Sequence, residues 1–347
     1  MKAIYRLTIA AGLASILAVG ATAQQKTQIN GAGATFPNPI YSKWFDEYNK
    51  AHPNVQINYQ SVGSGAGIRQ LTNQTVFFGA TDGPMTDEQM LAAPGKILHF
   101  PTVLGAVVPV YNIPNVKAEL KFSGPLLADI FLGKITKWND PAIAKLNEGM
   151  SLPATDITVA HRADGSGTTQ NFTEYLTMAA KKEWKLKSGS TVEWPGDTQA
   201  GQGNAGVAQI VKSTKGAIAY VDLSDAKASG LKFATIKNRS GHFVEPTSAA
   251  ASAAGQGIEV KDNLIFSALD AKGDKAYPIT AQTWVIVYAK QIDRAKGDAL
   301  KAYLTFLLKD GQALLDEIDY APLPRSLQDK AVKQIDKIRV AAHASLP

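Results

Sequence analysis

The 347-residue sequence contains no cysteine. Its absence excludes disulfides, thiol nucleophiles, cysteine-ligated metals and a lipid-modified cysteine at a processed N-terminus, so the fold must be held by its core alone. The five histidines, at positions 52, 99, 161, 242 and 343, are never three or four residues apart, which argues against a zinc site. No G-x-x-x-x-G-K-[ST] stretch is present, so a nucleotide-hydrolysing P-loop has no support, and no other cofactor motif stands in the chain. Beyond the first 23 residues no apolar run approaches the ~20 residues a membrane span requires. Strong charge is lacking too. The formal net charge is +6, falling to +4 if Lys2 and Arg6 are removed, and the basic residues are scattered along the chain, a pattern that argues against a nucleic-acid partner.

What is present begins with an export signal. Lys2 and Arg6 precede the apolar run Leu7 to Val19, and Ala21-Thr22-Ala23 forms an A-x-A site. A basic opening, a short apolar stretch and that site read as a cleavable signal peptide over residues 1–23, with an exported mature chain from about Gln24. The remainder, 45% hydrophobic and 19% charged over the whole chain, is ordinary for a globular protein and long enough for two cores.

The N-terminal pattern is a strand, a glycine-rich turn, an amphipathic helix from about Pro39 to Lys50, a strand from Val55 to Tyr59, a second glycine-rich turn and another helix. That is the opening of an α/β sheet. A short strand covers Phe77 to Ala80, and DPAIAKLN forms a helix with Asp140 as N-cap and Pro141 at its first position. The strand ITVAHR leads to a helix from about Thr169 to Lys182. GNAGVAQIVKST reads as a helix, AIAYVDL as a strand, and the small, polar residues 246–256 as an exposed loop or frayed helix. Helices at Arg294 to Lys309 and Gly311 to Glu317 close the chain. Two long apolar strands, at 99–111 and 279–289, read as crossings between two lobes: lobe I from 24–105 plus 281–347, lobe II from 106–280. One large continuous sheet is the alternative.

Four small-residue turns occupy the strand-to-helix position: Gly31 to Phe36, Gly63 to Gly67, Asp164 to Thr168 and Gly201 to Gly206. Helix N-termini offer unpaired N–H groups and glycine permits close backbone approach, a combination suited to anions. The last turn matches G-x-G-x-x-G, but no strand is read immediately before it, so it fails as a dinucleotide fingerprint. Arg162 and Asp164 share a face of an extended segment, where the carboxylate can orient the guanidinium toward an oxyanion; the bland alternative is a surface ion pair. Ser166 lacks the G-x-S-x-G spacing of a nucleophile, and His161 reads as a solvent-facing strand residue. Asp82 ends a short strand where a ligand crevice in an α/β sheet lies. A carboxylate there suits an anion only if the anion carries a proton to donate; otherwise Asp82 is a turn residue before Gly83.

These segments resemble the periplasmic phosphate-binding proteins, soluble receptors of the high-affinity phosphate ABC transporter. The resemblance runs through GAGATFPNPIYSKW, SVGSGAGI, FGATDGPM, FPTVLGAVVPVYN, IFLGKITKWNDPAIAKLN, HRADGSGTTQNFTEYL, GAIAYV and YPIT, essentially the whole chain after the signal. It implies a two-lobed type II binding-protein fold, each lobe a mixed sheet flanked by helices, joined by hinge strands. It implies a monomer that binds inorganic phosphate, delivers it to membrane permease subunits and performs no catalysis. Ligand contacts would fall on Thr35, Phe36, Ser64, Asp82, Arg162, Ser166, Gly167 and Thr168, with Asp164 holding the arginine. Departures fall at His161, where the family often has a second arginine, and at Phe77, where it often has an aspartate. An exported phosphatase-like member of the fold, a receptor for another oxyanion and an adhesion module are the competing functions.

Overall fold

The computed structural model describes residues 26–116 and 118–341; the expected signal segment and its cleavage point lie outside the described residues. The first stretch runs β1 (Thr27–Gly33), α1 (Asn38–Ala51), β2 (Val55–Ser61), α2 (Ser64–Thr72), β3 (Phe78–Thr81), α3 (Asp87–Ala92) and β4 (Ile97–Tyr111). The middle stretch holds β5 (Lys121–Phe122), α4 (Gly124–Phe131), α5 (Pro141–Leu146), β6 (Thr158–Arg162), α6 (Gly167–Ala179), β7 (Gln199–Gly201), α7 (Gly203–Ser213) and β8 (Ala217–Asp222). It continues with α8 (Leu223–Ala228), β9 (Lys232–Phe233), β10 (Thr235–Lys237), β11 (Phe243–Val244) and α9 (Ser248–Ala254). The chain then returns through β12 (Thr280–Tyr288), β13 (Lys290–Gln291), α10 (Arg294–Leu308), a 3-10 segment (Asp310–Ile318), α11 (Arg325–Gln334) and β14 (Arg339–Val340).

The main sheet has the order β2-β1-β3-β12-β4-β8-β6-β7. β1 pairs in parallel with β2 and β3, whereas β12 lies antiparallel between β3 and β4. All fifteen residues of β4 are buried, as expected for an apolar run covered on both faces. Its partners change along its length: Ile97 to Ala106 pair with β12, and Val107 to Tyr111 pair with β8. One strand therefore serves both lobes, and the two sheet halves join through it. The second apolar run is shorter as a strand than its sequence suggests, because β12 starts only at Thr280, opposite Ala106.

α1 begins with proline in its first turn and buries Ile40, Tyr41, Trp44, Phe45 and Tyr48, one stripe at helical spacing. Three fully buried tryptophans fix the packing, because each indole N–H reaches a carbonyl: Trp44 to Gly311 at 2.7 Å, Trp138 to Gly216 at 3.0 Å and Trp284 to Leu264 at 2.9 Å. Residues 248–254 take the helical alternative of the sequence reading, packed rather than exposed. They form α9, capped by the Thr247 hydroxyl on the Ala250 N–H, with Ala250, Ala251 and Ala254 buried near β4. Small side chains let this helix approach the strand closely, so what looks like loop composition serves packing. α11 went unread in the sequence because its buried positions include Gln328 and Gln334 beside Leu327 and Ala331.

Candidate functional site

The loops after β1, β2 and β3 and the N-termini of α2, α6 and α7 meet between the lobes. Gly63, at φ +95°, opens α2, and a Cβ there would lie 2.2 Å from an Asp164 carboxylate oxygen. Gly167 opens α6, and a Cβ on it would come within 2.6 Å of both the Asp82 Cβ and the Ser64 Oγ. Only glycine permits either approach. Hydrogen bonds tie the walls together: the Gly65 N–H donates to the Gly165 carbonyl at 2.9 Å, the Gly167 N–H to Ser64 Oγ at 3.1 Å, and Asn171 Nδ2 to the Asp82 carbonyl at 2.7 Å.

On the lobe I wall Asp82 follows β3 and is 1% exposed. Its Oδ1 accepts from the Thr283 hydroxyl at 2.6 Å, its Oδ2 from the Ser64 hydroxyl at 3.5 Å, and its N–H donates to Ser64 Oγ at 3.2 Å. Burial pushes its carboxyl up to about 7, against the lowering pull of the Thr283 hydroxyl, the Arg162 charge and the Ser64 hydroxyl. Phe36 is fully buried; its carbonyl accepts from Tyr320 at 2.5 Å, and the two rings meet edge to face at 5.6 Å. That contact fixes the turn carrying Thr35 and Phe36.

On the lobe II wall the Arg162 side chain is 1% exposed. Its Nε and Nη2 donate to the two Asp164 oxygens at 2.8 and 2.5 Å, and Nη1 donates to Asn204 Oδ1 at 3.0 Å and, more weakly, to Thr168 Oγ1 at 3.4 Å. A guanidinium has five N–H donors, so one on Nη2 has no protein acceptor among the described residues. Asp164 also accepts from the Gly203 N–H at 3.0 Å. Burial pushes its carboxyl up, but the hydrogen bonds and charge of Arg162, with the Gly203 N–H, outweigh this and hold it below its ordinary value. Ser166 caps α6 by accepting from the Thr169 N–H at 3.1 Å, so its hydroxyl is structural first. Among the described residues the N–H groups of Thr35, Phe36, Ser64 and Thr168 have no protein acceptor.

The structure brings the sequence-selected residues together through contacts that link Ser64 to Asp82 and Gly167, Arg162 to Asp164 and Thr168, and Thr35 to Asn204, and it adds others. Asn171 binds the Asp82 and Gly167 carbonyls and accepts from Gln282 at 3.1 Å. Asn204 joins Arg162 to the buried Asp222, donating to it at 2.7 Å, and its N–H reaches Thr35 Oγ1 at 3.4 Å. Burial, then the charge of Asp225, raises the Asp222 carboxyl. Asn204 lies in the Gly201 to Gly206 run. Contrary to the sequence reading, a short strand, β7, does precede that run, and α7 points its N-terminus at Asp164 and Thr35 rather than at a dinucleotide. His161 is also not solvent-facing. It is half-buried, stacked on Trp194 at 5.4 Å and bonded to Thr198 Oγ1 at 3.0 Å.

A two-lobed mixed α/β fold with a polar interlobe cleft defines the class of solute-binding proteins, and residues 19–310 match the PBP superfamily domain. Within it, the chain is 41% identical to the phosphate-binding protein PstS of Pasteurella multocida, covering 93% of this chain and 94% of that one. It is likewise 41% identical to the phosphate-binding protein PstS of Methanocaldococcus jannaschii, covering 82% and 79%. A crystal structure of a phosphate-binding protein from Stenotrophomonas maltophilia shares the fold, with a TM-score of 0.67 at 18% identity over 89% of this chain and 94% of that one. This chain belongs to the PstS phosphate-binding protein family.

Proposed function

We propose that the protein captures inorganic phosphate in the cleft, rejects sulfate there, and passes phosphate to the permease subunits of an ABC importer. In this reading it acts as an exported monomer without catalytic activity, released by a signal peptide ending near Gln24. Division into lobe I (24–105 plus 281–347) and lobe II (106–280) makes the change of partners in β4 at 106/107 the hinge about which the lobes close.

Phosphate is taken from water only if its hydration is replaced. The N–H groups of Thr35, Phe36, Ser64 and Thr168, the remaining Arg162 donor and nearby hydroxyls supply that replacement, with Ser166 and Gly167 shaping the helix end. The observation that carries the reading is Asp82, a buried carboxylate whose two oxygens already accept hydroxyl bonds. Facing a protonated phosphate oxygen it accepts a further hydrogen bond. Sulfate has no proton to give, so above about pH 7, where the Asp82 carboxyl is ionised, it would set two acceptors against each other, and its rejection should sharpen as pH rises.

Calorimetric titration of phosphate-stripped mature protein tests this. Phosphate and arsenate, which both carry a proton, are expected to bind and sulfate to fail. Comparable affinity for phosphate and sulfate would overturn the role of Asp82, and turnover of a chromogenic phosphomonoester would overturn the non-enzymatic reading.

A further inference from the structure

Along the sequence the basic residues look dispersed; the fold collects many of them at one pole. Lys96, Lys290, Lys337 and Arg339 line a groove of about 780 Å³, and Lys261, Lys330 and Lys333 line the adjoining one with Lys337 shared. All seven are exposed, and none forms an ion pair among the described residues. Only Asp262 and Asp336 oppose them in these grooves.

The patch lies at the end of lobe I away from the cleft. The cleft turns follow the C-terminal ends of β1, β2 and β3, while the patch surrounds the opposite end of the sheet, where Ile97 pairs with Tyr288. Backbone bonds hold its parts side by side: the Ala289 N–H donates to the Lys96 carbonyl, and the Arg339 N–H to the Ala289 carbonyl, each at 2.8 Å. Two exposed large aliphatic side chains adjoin its residues in the chain, Leu91 at 86% and Ile292 at 82% exposure, whereas the other exposed large apolar residues among the described ones, Met178 and Phe243, reach only 36%. Leu91 follows Met90, which lines a third groove shared with Lys96 and Lys337, and Ile292 stands two residues after Lys290.

Cations alone would suit any polyanion. Cations with exposed aliphatic side chains close by match a surface that offers anionic headgroups above hydrocarbon. We propose that this pole docks reversibly on an anionic lipid bilayer, with the lysines on the headgroups and Leu91 and Ile292 reaching the acyl boundary.

The mature protein is mixed with vesicles of phosphatidylcholine alone or with about 30% phosphatidylglycerol, and bound protein is sedimented. Binding is expected only with phosphatidylglycerol, falling at least about tenfold between roughly 0.05 and 0.5 M salt as the headgroup charge is screened. Lys96→Glu/Lys290→Glu/Lys337→Glu is expected to abolish it, and Leu91→Ser/Ile292→Ser to weaken it severalfold. Unchanged melting temperatures establish that these variants are folded. Binding without dependence on phosphatidylglycerol, or no binding at low salt, would overturn the proposal. So would equal binding to duplex DNA that ignores Leu91 and Ile292, which would make the pole a general polyanion groove.

Discussion

Lobe I and lobe II each bring one aspartate to the cleft, and their surroundings treat the two in opposite ways. Asp164 has a guanidinium locked onto both oxygens, so its charge is neutralised and its carboxyl is held low despite burial. Asp82 has only hydroxyl donors at its oxygens, and burial lifts it to about 7. The same side chain thus becomes a fixed structural anion on one wall and a proton-sensitive group on the other. In the proposed reading the guanidinium would attract any oxyanion, and the Asp82 carboxylate would choose among them. Their stability effects also differ in sign. Asp164, depressed, contributes stability that is present above its unfolded value and lost as pH falls through its lower folded value. Asp82, raised, destabilises the ligand-free fold progressively as pH climbs from about 4 to about 7.

The comparison breaks most visibly if the attracting wall is removed. Arg162→Met is expected to raise the phosphate dissociation constant by about 10³-fold, the scale of losing charge-assisted donors in a desolvated site, and to destabilise the fold by leaving Asp164 buried without its partner. An affinity within a few-fold of wild type would mean that backbone N–H groups do the work alone.

Asp82→Asn sharpens the other side. In the ligand-free protein this substitution is expected to stabilise the fold at pH 8, by up to about 4 kcal/mol, and to shift it far less at pH 4, where Asp82 is protonated in the folded chain and only about half ionised in the unfolded one. Denaturant midpoints at the two pH values measure it; equal shifts at both would show that the carboxyl titrates normally.

How much of this was legible in the sequence follows from where each residue sits. Ser64, Asp82, Arg162 and the 164–168 turn lie at strand-to-helix junctions, where glycine spacing announces a free helix end. Thr283 is hidden in the middle of an apolar strand, where a threonine reads as ordinary β composition, and it meets Asp82 only because β12 inserts antiparallel between β3 and β4. Asn171 sits one helical turn beyond Gly167, but its partner is a carbonyl 89 residues earlier in the chain. Asn204 was masked by a motif whose strand is only three residues long. The basic pole was invisible for the same reason, since residues from 96 to 339 converge only after the chain has crossed lobes and returned. Local chemistry survives in sequence; long-range pairing does not.

Thr283 provides the finest test of the comparison. Thr283→Val keeps the side-chain shape but removes the hydroxyl that donates to Asp82 Oδ1 at 2.6 Å. Losing a buried donor to a charged acceptor is worth about 1.5 kcal/mol, so phosphate affinity is expected to fall about tenfold at pH 8, where the ionised carboxylate must accept the phosphate proton. The Asp82 carboxyl rises further above about 7, and below that pH it is protonated in both proteins, so the difference should shrink toward pH 5.5. An equal loss of affinity at both pH values would assign Thr283 a packing role, and the distinction between the two aspartates would then rest on burial alone.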